Sequence, residues 1–87
     1  MLDIFVTATF AKSYQNLPEV IRKKADSKTT IFKHNPFHPS LRTKKLEPHN
    51  EEVWSFWIDR DYRIKFRFAD ATRAHFLFIG NRKDIYR

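Results

Sequence analysis

Three cations occupy every second position of one short stretch: Arg63, Lys65 and Arg67 in "DRDYRIKFRF", residues 59–68. Strand side chains alternate between faces, so these three share one face while Tyr62, Ile64, Phe66 and Phe68 share the other. The apolar row explains itself, since burying each such side chain is worth roughly 1.5–3 kcal/mol. The cationic row does not: like charges side by side repel, and folding gains nothing from them. What such a row suits is the binding of a polyanion.

The whole chain leans the same way. Its 87 residues carry 17 Lys and Arg against 10 Asp and Glu, a net charge of +7. That balance favours nucleic acid, an acidic protein or an anionic membrane as partner. Other chemistries are excluded or weakened by composition. With no cysteine there is no disulfide, thiolate metal site or Cys nucleophile, which fits a reducing cytoplasm. A single glycine argues against a Gly-rich phosphate loop. The four histidines, His34, His38, His49 and His75, form no pair at metal-ligand spacing with a third ligand, so neither metal nor other cofactor is expected. His49 stands out among them because Glu51 and Glu52 lie beside it in a loop; it is a candidate for contact with RNA or for proton transfer if that loop folds over a site. No apolar run reaches transmembrane length, and "MLDIFVTATF" lacks the features of a leader peptide.

The elements that must position these residues are readable in outline. Length allows one domain, residues 1–87. "LDIFVTAT" (2–9) is β-branched and predicts a strand, and "FAKSYQNL" (10–17) a short helix. Residues 17–35 predict a longer helix, with Pro18 and Glu19 suited to its first turn. Its stripe of Val20 or Ile21, Ala25, Lys28 and Phe32, beside Ile31, would lie on a sheet. Pro36, Pro39 and Pro48 make 35–52 a long irregular connection. "VWSFWID" (53–59), 62–70 and 73–80 predict three strands joined by tight turns, an antiparallel meander. The tail 81–87 reads as short and basic. The expected class is α+β, in the order β-α-α-β-β-β: two N-terminal helices packed on one face of a four-stranded, mainly antiparallel sheet. Arg63, Lys65 and Arg67 would then lie on the uncovered, wet face.

"NPFHPSLRTKKL", then "VWSFWIDRDYRIKF", then "FIGNRKDIYR" together resemble the RelE/ParE superfamily of toxins from toxin–antitoxin systems, in particular its RelE/YafQ-like mRNA interferases. The likeness spans the chain. It implies a metal-independent endoribonuclease that cleaves mRNA, in many relatives in the ribosomal A site, by attack of a ribose 2′-hydroxyl on the adjacent phosphate. Fixed cations aimed at the developing charge are often the largest catalytic contribution.

Several roles come with that resemblance. Arg63 matches the family arginine that contacts the scissile phosphate, and a guanidinium suits phosphate by forming two hydrogen bonds. Arg82 falls where relatives carry histidine or arginine. Tyr86 matches a C-terminal aromatic able to stack on a base or orient the hydroxyl. Lys44 takes the place of a family histidine, with Lys45 beside it; Lys65 and Arg67 would extend the binding track. Trp57 replaces a residue that is basic or polar in relatives and could stack on a nucleobase, contact a partner or pack the tail. Three family histidines are thus absent. Two alternatives remain open: a ParE-like DNA gyrase inhibitor without nuclease activity, and a catalytically weakened relative that binds RNA or antitoxin. The implied partners are a cognate antitoxin protein, the ribosome and mRNA, with no membrane, and the implied location is the cytoplasm.

Overall fold

A computed structural model describes residues 1–46 and 52–85. The elements run β1 (Asp3–Val6), α1 (Ala8–Gln15), α2 (Glu19–His34), a 3-10 turn (Pro39–Leu41), β2 (Lys44–Lys45), β3 (Trp54–Trp57), β4 (Tyr62–Asp70), β5 (Arg73–Asn81) and α3 (Arg82–Ile85). The strands form one sheet in the order β1-β5-β4-β3-β2. The meander β3-β4-β5 is antiparallel as expected, and β1 lies parallel against β5.

Thr7 sets where the first strand stops. Its side chain accepts from the Phe10 N–H at 3.0 Å, capping α1, and its hydroxyl donates to the Leu77 carbonyl at 3.0 Å. One residue thus ends β1, starts α1 and fastens both to β5, so the strand is shorter than the β-branched run. α2 starts after Pro18, with Glu19 in its first turn and Lys33 and His34 in its last, matching the helix dipole at both ends. Thr29 and Thr30 do not interrupt it. Its inner face carries Ala25 and Phe32, both buried, while Val20 is 64% exposed, so the stripe begins at Ile21.

Phe32 is the centre of the core between helices and sheet. Its ring lies 4.8–5.3 Å from those of Phe56, Phe66 and Phe76, on three different strands. Ile58, Ile64, Ile79, Leu41 and Phe10 complete this core.

Three features differ from the sequence reading. The proline-bearing connection contains a 3-10 turn and a fifth strand: Lys44 and Lys45 pair with Ser55 and Trp54. The basic tail begins as a helical turn, α3. And the face opposite α1 and α2 is not bare. Leu46, Val53 and Ile85 are buried there, with Leu77 and Phe78 packed against them. A register shift makes this possible: Lys65 pairs with Phe78 but Phe66 pairs with Phe76, leaving Leu77 as the extra residue of a bulge. Phe76 and Ile79 therefore serve the main core, while Leu77 and Phe78 serve the second cluster. Among the described residues, no helix is long and apolar enough to cross a membrane.

Phe32→Ala should cost about 3–5 kcal/mol in urea denaturation, because the cavity it leaves is walled by three strands and cannot collapse. A loss below about 1 kcal/mol would show that the ring cluster is not the organising core.

Candidate nucleic-acid interface

Antiparallel pairing brings the side chains of opposed residues onto one face. On the face away from α1 and α2, Trp57 stands opposite Arg63, and Arg63 opposite Gly80. The next row runs Lys44, Ser55, Lys65 and Phe78. Extending the β2–β3 register by two residues puts Arg42 beside Trp57 on the side away from Arg63.

Arg63 contradicts the wet-face expectation. It is 5% exposed. Its Nη1 donates to the carbonyls of Asp59 and Arg60, each at 2.9 Å, and of Tyr62 at 3.2 Å. Its guanidinium carbon lies 4.1 Å from the centroid of the Trp57 ring. The charge is therefore held in the sheet, fastening the β3–β4 turn. That turn is capped a second time: the Asp59 carboxylate accepts from the Asp61 and Tyr62 N–H groups at 2.9 Å, and from Lys24 of α2 at 3.3 Å. Burial pushes the Asp59 carboxyl up, but those N–H donors and the Lys24 charge outweigh it and hold the group below its ordinary value.

Trp57 contradicts the base-stacking expectation. Arg42 lies over its ring at 4.2 Å, and Arg63 at 4.1 Å. Arg63 comes from β4 and Arg42 from the β2 side, so the two guanidiniums take opposite faces of the indole. No face is left for a base. Trp57 is instead the filling between two cations, an arrangement worth about 0.5–1 kcal/mol for an exposed arginine and about 2 kcal/mol for a desolvated one.

Arg42 was not legible as a site residue. It follows the 3-10 turn with φ 49° and ψ 44°, a left-handed conformation in a residue that is not glycine. Such a backbone costs of order 1–3 kcal/mol and persists where its neighbours dictate it. Here Leu41, fully buried, holds one side, and the Thr43 hydroxyl bonded to the Pro36 carbonyl holds the other. The only sequence signal was its register with Trp57, visible once β2 is known.

The remaining expected residues divide. Lys44 is exposed on the same face, flanking Ser55 with Lys65 on the far side. Lys65 lines a cleft of about 420 Å³ with Thr7, Thr9, Leu77, Phe78 and Asp84. Arg82 is exposed, and its N–H donates to the Asp61 carbonyl at 2.7 Å, so α3 starts from the turn that Arg63 secures. Arg82 and Arg63 thus belong to one end of the sheet. Lys45 does not join them: opposite Trp54, it lies on the other face, paired with Glu52 at 3.0 Å. Arg67 shares the open face but stands opposite His75, four residues along β4 from Arg63. That is about 13 Å at the usual rise, outside the cluster. His49 and Tyr86 lie outside the described residues. Among the described residues, no group of three or more His, Cys, Asp or Glu could hold a metal ion.

The single glycine belongs to this site. A Cβ on Gly80 would meet Phe78 Cε2 at 2.7 Å, so the Phe78 ring leans over the position next to Arg63.

No family model matches the sequence, and no curated protein matches it either. Solved structures do. YafQ from E. coli strain BL21(DE3) is 13% identical, with complete coverage of both chains and a TM-score of 0.79. The toxin–antitoxin complex RelBE2 from Mycobacterium tuberculosis contains a chain 19% identical, with 93% of this chain and 98% of that one covered and a TM-score of 0.77. The archaeal RelE–RelB complex from Pyrococcus horikoshii OT3 gives 16% identity, 95% and 97% coverage and a TM-score of 0.76. The chain therefore has the RelE-type toxin fold, with one strand more than the four expected from sequence.

Two outcomes test this geometry. Arg63→Ala should lower stability by about 2–4 kcal/mol in urea, because three turn carbonyls lose a charged donor; a loss under about 0.5 kcal/mol would mean the side chain is solvated. The Asp59 carboxyl, followed by NMR, should titrate below 3.8. Because its folded value is lowered, its contribution to stability is complete above that pH and disappears as pH falls through the lowered value. A midpoint at or above 3.8 would show that the turn is not capped in this way.

Proposed function

We propose that this protein is the toxin of a type II toxin–antitoxin system, acting as a metal-independent endoribonuclease on mRNA in the ribosomal A site. What supports the reading is that strand pairing and the β3–β4 turn bring segments bearing cations to one end of the sheet: Arg42 and Lys44 before β3, Arg63 on β4, and Arg82 after β5, whose backbone N–H bonds that turn. The fold is that of RelE-type toxins, and the resemblance in sequence points to the same activity.

In this reading the cations divide by exposure. Lys44 and Arg82 stand at the surface and would contact the scissile phosphate. There they would stabilise charge that builds when the 2′-hydroxyl attacks. Arg63 is a positioning residue: it contributes fixed positive charge from the floor and holds the β3–β4 turn, whose Asp61 carbonyl accepts from the Arg82 N–H at the start of α3. Fixed charges of this kind need no reorganisation at the moment of reaction. A guanidinium does not give up its proton in a protein, so Arg82 would stabilise charge rather than transfer a proton. Tyr86 remains a candidate to orient the hydroxyl, and Lys65 a candidate to extend the phosphate track. The partners are a cognate antitoxin, the ribosome and mRNA, and the setting is the cytoplasm. The ParE-like reading, inhibition of DNA gyrase by protein contact, gains from the burial of Arg63, which removes the direct phosphate ligand that the resemblance implies.

Added to an in vitro translation reaction, the protein should produce new primer-extension stops within translated codons. Lys44→Ala and Arg82→Ala should each slow cleavage by about 100-fold, the usual cost of losing one preorganised charge contact. Intact mRNA together with loss of gyrase supercoiling would overturn the nuclease reading in favour of the ParE-like one.

A further inference from the structure

We infer that the outer face of the Arg42 guanidinium is the platform on which this site stacks a nucleobase, so that base, Arg42, Trp57 and Arg63 form one continuous pile. The inference rests on the reading that the site takes RNA. It does not depend on which residue performs the cleavage.

Four observations converge on it. The Arg42 guanidinium carbon lies 4.2 Å from the centroid of the Trp57 ring, so the indole supports the group from one side. Arg42 is nonetheless exposed, so it keeps surface that a ligand can reach. Among the described residues, no carboxylate neutralises it. And its backbone is held left-handed at φ 49° between the buried Leu41 and the bonded Thr43. A surface arginine normally samples many rotamers. This one is oriented by an indole beneath it and by a strained backbone behind it. A planar, delocalised cation seated over an aromatic ring has a flat surface of its own, and unstacked bases of single-stranded RNA dock on such guanidinium planes. Trp57 cannot supply that surface itself, because both of its faces are filled.

The stack would also set the register of the strand. Lys44, two residues along on the same face as Trp57 and Arg42, would meet the backbone beside the stacked base. A base parked on Arg42 thereby aligns the neighbouring phosphate over Lys44. Stacking is tolerant of base identity, so the platform would position the strand without selecting its sequence.

The test uses the intact protein and two short single-stranded oligomers of equal length and charge, both with 2′-O-methyl sugars so that they are not cut. One carries bases and the other is abasic. Wild-type protein should bind the base-bearing oligomer about tenfold more tightly, within the range found for single base–side-chain stacks. Arg42→Lys keeps the charge and loses the plane, so that preference should fall below about twofold while the salt dependence of binding stays unchanged. Arg42→Gly suits the left-handed backbone without strain, so its loss of the same preference is not a folding defect. The inference is overturned if Arg42→Lys retains the wild-type preference, or if wild-type protein binds both oligomers equally. Cleavage of translated mRNA by the wild-type protein is scored separately. Its absence would remove the nuclease reading, while an Arg42-dependent base preference would still establish the platform.

Discussion

A guanidinium sits inside this sheet, and much of the site depends on how that is made tolerable. Removing a charged group from water costs several kcal/mol unless its donors are met. Arg63 meets that demand with three backbone carbonyls of the turn preceding it and with the face of Trp57. Each of those partners is thereby fixed in turn. The β3–β4 turn cannot open without stranding the charge, and Asp59 locks it from the other side through two N–H groups and Lys24. Trp57 cannot rotate away without exposing the guanidinium. With Trp57 fixed, its second face becomes a rigid seat for Arg42.

The consequence is a division of labour among cations that look alike in the sequence. Arg63 is buried and holds a turn, Arg42 lies against the indole, and Lys44 and Arg82 are exposed. The second apolar cluster reinforces this division. Leu46, Val53 and Ile85, with Leu77 and Phe78, occupy the middle of the open face and anchor the start of the C-terminal segment on it. Arg42, Lys44 and Arg82 are exposed among the described residues.

Period and punctuation made most of the fold legible. Alternation in 62–70, the turns at 59–61 and 70–72, and the Ala25–Phe32 stripe gave the meander and the helix that covers it. Periodicity could not tell which of the alternating cations would be buried, since that depends on the bend of a turn that brings three carbonyls to one nitrogen. It also missed β2, two residues long, whose strand character comes only from pairing with β3. Arg42 was invisible for the same reason: nothing in "SLRT" marks a left-handed arginine, and its relation to Trp57 exists only once that pairing is made. Lys45 was misplaced because adjacent strand residues point to opposite faces, so a Lys-Lys pair cannot serve one site. The resemblance named Arg63, Arg82 and Lys44 for the site but implied a directly accessible Arg63, whereas the structure buries that side chain in the sheet.

The central claim is that one indole is clamped between two guanidiniums, and NMR of the arginine side chains reads it directly. Protons near Cδ and Nε of both Arg42 and Arg63 should be shifted upfield by the Trp57 ring current, and both sets should return to ordinary positions together in Trp57→Leu. An Arg42 side chain with ordinary shifts in the wild-type protein, unchanged by loss of the indole, would contradict the account at its foundation.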